Sequence, residues 1–492
     1  MGGSGRAVWW LRAYAAALVV AVTWPFLVPS AFGQGGPGAA GGSVAAFALR
    51  DMMVFDGMAL TRASLGFGDL PARNVPQDAL LGILPRPMLA VRVIMVGSAA
   101  LAAWAGWQLG RSTFGRAAAM TVAVWNPFVV ERLLQGQWSL VAAAWLLPAV
   151  ALCWSRPGLR PAGVVAQWVC SLTPTGAIAA ALCSRGRLGA LTSAVTCAPW
   201  VVAGALATGA GTSTEAGAAA FAPRAEGYVG TLGALVGLGG IWNAHAVPPS
   251  RAAGLAVFGM ALFLVLACAW RAVPRRWVVL AGLGFAVALA SWAGWLTPVV
   301  AHVPGGGLLR DAQKWLILAI PAFVAAAGAL RPRLAPLAVG LALLQVPDAP
   351  LAVAALVPTT VEVPFVDACG RDVLFVDRPA LITLSSGTVA VDPAPKAMNT
   401  VESGALRVDG VFTDPPSPRW SQAHAALGAG GDPTAELRDL DIGVVVYPDG
   451  RAVDTGAPAG GWPPLGVALF ALWCAAPLLA LRPGEMCLRN NQ

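Results

Sequence analysis

Ten apolar stretches divide this chain, at about 9–31, 88–110, 115–131, 138–154, 188–208, 253–270, 277–296, 315–331, 333–347 and 464–481. Most reach the roughly 17 to 25 residues a helix needs to cross a bilayer. The connectors between them are of two kinds. "GRSTFGR" (110–116), "WSRPGLR" (154–160), "SRGR" (184–187), "RAVPRR" (271–276) and "RPR" (331–333) hold arginine and no acid, and the positive-inside rule assigns each to the cytoplasm. Arg6 and Arg12 assign the N-terminus to the same side. Every Asp and Glu except Glu485 then falls in segments that face outward.

Composition agrees with a polytopic membrane protein. Hydrophobic residues make up 57% and charged residues 11%, against roughly 25% charged in soluble domains. The net charge of +8 is carried without any run of basic residues interleaved with aromatics, so nucleic acid is not an expected partner. The first stretch reads as a retained span rather than a cleaved signal peptide, being long, interrupted by "TWPF" and without a small-x-small site. Only Cys369 of the eight cysteines lies in an outward domain, and no His/Cys spacing points to zinc.

The segment 161–184 needs separate treatment. Arginine connectors flank it on both sides, so a single crossing would invert everything downstream. "VVAQWVCSLTPTGAIAAALC" therefore reads as two short arms meeting at "SLTPTG". There Pro174 and Gly176 break the helix, and Ser171, Thr173 and Thr175 can satisfy freed backbone groups. Three outward loops follow, at about 32–87, 209–252 and 297–314. The domains are a transmembrane part (1–356), an extracytoplasmic α/β part (357–462) and a last span with a cytoplasmic tail (463–492). The α/β part is read from "DVLFVD", "ALITLSSGTVAVD" and "DIGVVVYPDG". "GQGGPGAAGG" reads as a flexible linker.

In the first loop, "VAAFALRDMMVFDGMAL" is too short to span and too apolar for solvent. It reads as a short helix at the outer surface, with Met52, Met53, Phe55 and Met58 toward lipid or protein. "NVPQDALLGIL" reads as another, with Pro76 at its first position and Leu80, Leu81 and Leu84 on its apolar face. Asp51 and Asp56, which oppose insertion, stand out in this setting.

Interfacial helices bearing carboxylates in a first outward loop resemble the GT-C superfamily of membrane glycosyltransferases. The strings "DLPARNVPQDALLGIL", "WNPFVVERLLQGQWSL", "SLTPTG", "GGIWNAHAVPPSR" and "GGGLLRDAQKW" look similar to actinobacterial cell-envelope arabinofuranosyl- and mannosyltransferase-related membrane proteins, over about residues 1–345. The resemblance implies an all-α polytopic bundle, with about ten full spans, the two-armed segment and an extracytoplasmic α/β domain. It also implies transfer of a sugar from a polyprenyl-phosphate donor to an envelope glycan or glycolipid on the outer face of the cytoplasmic membrane. Asp51 or Asp56 would be the base, although the adjacent acidic pair of many relatives is absent. Arg310 and Lys314, four apart on one helical face, would hold the donor phosphate. Glu131, Arg132, Arg224, Glu226, Trp242, Asn243 and His245 would contact substrate. No cofactor is required, and a divalent metal is possible without being predicted. Other envelope-biosynthesis proteins are possible partners. The rival classes are a lipid-linked sugar flippase or transporter and a non-catalytic scaffold. Spans almost free of ionisable groups, Arg92 being the main exception, disfavour an ion-coupled carrier.

Overall fold

The computed structural model describes residues 3–30, 42–72, 74–207, 213–408 and 410–481. The Gly-rich linker up to Gly41 and the tail after Leu481 lie outside them. Among the described residues, nine helices are long and apolar enough to cross a membrane: Gly5–Leu27, Pro87–Leu109, Thr113–Leu134, Trp138–Ser155, Gly186–Leu206, Arg275–Trp292, Ala312–Ala329, Ala335–Leu356 and Pro464–Leu481. The stretch at 253–270, expected as a tenth full span, is interrupted. Arg251–Leu255 forms a π-turn with Gly254 at φ 105°, and the α-helix proper covers only Val257–Ala267.

Burial ranks these helices. Thr113–Leu134 and Trp138–Ser155 are 100% and 94% buried, whereas Arg275–Trp292 and Pro464–Leu481 are 22% buried. The first two form the centre, joined by the short loop Gln135–Gln137. Arg92, the cation inside a span, donates to the carbonyls of Phe26 (2.6 Å) and Val28 (2.5 Å), where the first helix ends. Carbonyls at a helix C-terminus suit such a cation.

Residues 160–183 form two short helices, Arg160–Cys170 and Pro174–Cys183, of 11 and 10 residues. At 1.5 Å per residue each is about half as long as the ~30 Å hydrocarbon core. At the break the Ser171 hydroxyl donates to the Trp168 carbonyl (2.6 Å) and accepts from the Trp473 indole N–H (2.8 Å). Thr173 and Thr175 instead line the cavity described below. The arginine connectors gather at the opposite end of the bundle. Arg276 donates to the carbonyls of Leu182 (2.5 Å) and Ser184 (2.7 Å), and Arg111 donates its backbone N–H to Gly328 (2.9 Å).

"LRDMMVFDG" is not the expected surface helix. Strand β1 (Gly42–Leu49) turns directly into β2 (Met52–Phe55), with Leu49 opposite Met52, and the other edge of β1 pairs antiparallel with β3 (Thr359–Val363). Met52, Met53, Val54 and Phe55 are each no more than 2% exposed. A strand covered on both faces reads as a continuous apolar run, which periodicity does not separate from a short buried helix. The second expected helix forms at Gln77–Ile83. Pro76 stands just before its first residue, Leu81 is buried, and Leu80 and Leu84 are half-buried.

The C-terminal strings supply β4 (Asp372–Phe375), β5 (Leu381–Thr383), β6 (Val389–Val391), β7 (Leu406–Val408), β8 (Val411–Asp414), β9 (Ile442–Val446) and β10 (Ala452–Asp454). β4 runs parallel to β9, which pairs antiparallel with β10; β5–β6 and β7–β8 are separate two-stranded ribbons. Leu374, Val401, Ala423, Leu437, Ile442 and Val445 form a small core of their own.

Candidate functional site

Asp51 occupies the turn between β1 and β2, and hydrogen bonds from three other segments hold that turn. Arg50 adopts the left-handed conformation (φ 48°), which costs a non-glycine residue about 1–2 kcal/mol. Its backbone is clamped on both sides: the N–H donates to Val389 (2.7 Å) and the carbonyl accepts from Val391 N–H (2.8 Å). Its guanidinium donates to the carbonyls of Leu134 and His245. The Asp51 N–H donates to Gln135 (3.0 Å). Gly136 (φ 84°) lies so close to the turn that a Cβ there would collide with the Leu49 carbonyl and the Met52 amide. Only glycine lets the loop between the two central helices meet the hairpin in this way.

The turn opens on a cavity of about 1620 Å³. One wall is the bundle end: Gln135–Leu140, Thr173–Thr175 and part of 200–207. A second part of the lining comes from residues within 375–420. Asp51, Trp242, Asn243, His245, Arg310 and Lys314 all line it. Asp56, Glu131, Arg132, Arg224 and Glu226 do not.

Gln137 connects the lining to what lies behind it. Its side-chain oxygen accepts from Arg132 (2.7 Å), so its NH₂ faces Asp51 and donates to Oδ2 (3.0 Å). Arg132, fully buried, grips Asp311 with both terminal nitrogens, one of them at 2.8 Å, and also donates to Gln313. Solvent reaches Asp51 through the cavity, yet protein surrounds it closely. Burial raises its carboxyl above the usual range; bonds from Gln137 and Gln135 pull it back, Asp311 adds repulsion and Arg132 a smaller attraction. The Arg50 guanidinium is turned to the two carbonyls.

Asp56 faces elsewhere. Its Oδ1 accepts from the Met88 N–H (3.1 Å) in the first turn of Pro87–Leu109, a helix-capping contact.

Arg310 and Lys314 do not share one helical face. Arg310 ends a 3₁₀ turn, Asp311 is left-handed (φ 56°), and a second 3₁₀ helix covers Ala312–Ala319. Both cations nonetheless reach the cavity wall. Arg310 pairs with Asp414, donates to Ser213 Oγ (3.3 Å) and stacks on Phe221 at 3.9 Å, and Phe221 meets Trp242 edge-on at 4.3 Å.

Glu131 and Glu226 flank one buried cation that the sequence reading did not single out, Arg251. It contacts Glu131 at 3.2 Å and Glu226 at 2.7 Å, all three side chains being no more than 1% exposed. The charges meet although the N–H vectors do not lie along the contacts. Glu131 also accepts from the Ile241 N–H (3.1 Å), and Glu226 from the Gly240 N–H (2.7 Å). These carboxylates thus hold the chain that presents Trp242, Asn243 and His245. Arg224 joins the same loop through its backbone N–H, which donates to Gly240 (3.0 Å). Asn243 donates to Gln135 (2.7 Å), joining this loop to the one beneath Asp51.

Asp311, Gln135, Gln137 and Arg251 stood inside the quoted strings, but their partners lie far off in the chain. Among the described residues, no group of three His, Cys, Asp or Glu side chains comes together as a metal site. Comparison with family models, with curated proteins and with solved structures yields no match.

Proposed function

We propose that the chain is a membrane glycosyltransferase of GT-C type, taking a pentose or hexose of the arabinofuranose or mannose class from a polyprenyl phosphate. The acceptor is an envelope glycan or glycolipid hydroxyl. The observation that carries this reading is a carboxylate on an immobilised turn, facing a cavity that also holds Arg310 and Lys314, at the bundle end away from the arginine connectors. Asp51 takes the proton of the acceptor hydroxyl as its oxygen bonds to the anomeric carbon. The bond from that carbon to the phosphate oxygen breaks, its electron pair leaving with polyprenyl phosphate. Arg310 and Lys314 hold the leaving anion. Trp242, Asn243 and His245 offer an aromatic face and hydrogen-bonding groups to a sugar, while Glu131, Arg132, Arg224 and Glu226 serve by holding the loops.

The deciding experiment supplies membranes containing the chain with labelled polyprenyl-phosphate sugar and an acceptor glycan. Transfer that disappears in Asp51→Asn supports an enzyme; relocation of intact donor without transfer indicates a flippase. Arg310→Ala should raise the donor KM about ten- to hundredfold, the worth of one charge-assisted hydrogen bond of about 1.5–3 kcal/mol. Unchanged donor KM in both Arg310→Ala and Lys314→Ala would assign the pair to lipid anchoring.

Sidedness has its own test. In this reading Arg116, Arg160, Arg187, Arg275 and Arg333 are cytoplasmic, and Asp51, His245, Arg310 and residues 357–460 are outside, with both termini inside. Arg187→Cys should resist a membrane-impermeant thiol reagent applied to intact cells, and a cysteine at His245 should react. Labelling of both from one side would refute the topology.

A further inference from the structure

We infer that Thr400, Glu402 and Trp420 form a subsite for a neutral, hydroxyl-rich ligand, which under the transferase reading is the acceptor glycan. The backbone geometry comes first. Residues 399–401 run extended beside β4: the Val373 N–H donates to Asn399 (3.0 Å) and the Val401 N–H to Val373 (3.0 Å). Alternation along an extended chain sends Val401, 6% exposed, into the small C-terminal core. It sends Thr400 and Glu402 to the opposite face, and both line the cavity, as does Trp420.

These groups are held in place while their functional atoms lack partners. The Ser417 hydroxyl donates to the Glu402 carbonyl (2.6 Å) and accepts from the Trp420 N–H (3.3 Å), so one side chain fixes both. The Glu402 N–H donates to Asp69 (3.1 Å). Trp420 is backed by the His424 ring at 3.6 Å, which makes it a rigid platform. Yet Thr400 Oγ1, shielded from solvent, has no hydrogen-bond partner among the described residues. No bond to the Glu402 carboxyl is found among them either. A hydroxyl shielded as Thr400 Oγ1 is ordinarily finds a partner, and a ligand with several hydroxyls supplies one both to it and to the cavity-facing Glu402 carboxyl.

Charge decides the ligand class. Asp69, Asp78 and Asp392 surround Glu402, and each has its own cation: Arg419 (3.4 Å), Lys396 (2.7 Å) and Arg378 (2.6 Å). Burial first, then these three carboxylates, push Glu402 up to about 7 against the pull of Lys396. The cations here are taken up by these carboxylates, which leaves an anion little to pair with, whereas a hydroxyl both donates to the Glu402 carboxylate and accepts from the protonated acid. Arg310, the cation given to the donor phosphate, pairs with a different acid, Asp414.

The test begins without turnover. A hydrophobic carbodiimide attacks protonated carboxyls, so with the purified full chain it should label Glu402 at pH 6 and progressively less as pH rises through 7, read by peptide mass spectrometry. Octyl mannoside or octyl arabinofuranoside should protect Glu402; octyl phosphate should not. No labelling at pH 6, no protection by either glycoside, or equal protection by octyl phosphate would overturn the subsite. In transfer assays Glu402→Gln and Trp420→Ala should each raise the acceptor KM at least tenfold and leave the donor KM unchanged, and a changed donor KM alone would also overturn it. Protection by a glycoside in a chain that transfers sugar from no donor supports the subsite and removes the transferase reading.

Discussion

Asp51→Asn should lower sugar transfer by roughly 10²-fold or more while the donor KM stays as in the wild type. Asparagine fits the same space and can still accept from Gln137, so the β1–β2 turn survives and only proton uptake is lost. Asp56→Asn is the matched control. Its side-chain oxygen still accepts from the Met88 N–H, so transfer and stability should remain near wild type. The pH–rate profile carries the second half of the prediction. A base works when ionised, and burial raises Asp51 above the ordinary aspartate value of about 3.9. The rate should therefore climb with pH through a midpoint above that value. Gln137→Ala removes the amide that favours the ionised form and should move this midpoint higher still. Wild-type transfer in both Asp→Asn variants would mean that the base is another group or that the chain transfers no sugar.

The helices were legible because a span must be apolar over a fixed length, and the arginine connectors because basic residues cluster at one end. The same logic placed a break within "SLTPTG", and the helices do part between Cys170 and Pro174. The hairpin was not legible. Its two-residue turn is Arg50–Asp51, without the Asn or Gly that marks tight turns, and its partner β3 begins more than 300 residues later. Asp51, Arg310, Lys314 and the Trp242–His245 loop could be picked out as polar residues in the loops that alternate with the arginine connectors. Their convergence on one cavity depends on Gly136, Arg132 and Asp311, whose fit appears only when distant segments meet. Glu402 was hidden among ordinary strand and turn residues. What distinguishes it is that no donor to its carboxyl is found among the described residues, a property of its surroundings that no local pattern encodes.

Glu131→Ala should destabilise the folded chain by about 3–5 kcal/mol, the usual cost of removing one partner from a buried ion pair. Among the described residues Arg251 would keep Glu226 alone as a charged partner, both side chains being almost fully buried, and the Ile241 N–H would lose its acceptor. Glu131→Gln keeps an acceptor for that N–H and should cost less, so the two variants separate the charge from the hydrogen bond. Thermal unfolding of purified protein in detergent provides the measurement. Loss of transfer should follow loss of folded protein, because Glu131 acts through the chain that carries Trp242, Asn243 and His245 rather than through the cavity. A Glu131→Ala variant that melts like the wild type yet fails to transfer would reverse this assignment and return Glu131 to direct contact with substrate. A Leu or Met at Arg251 extends the test, leaving two buried carboxylates facing each other without their cation, and it should be at least as damaging as Glu131→Ala. If it were tolerated, the three charges would not be what fixes the loop above Asp51.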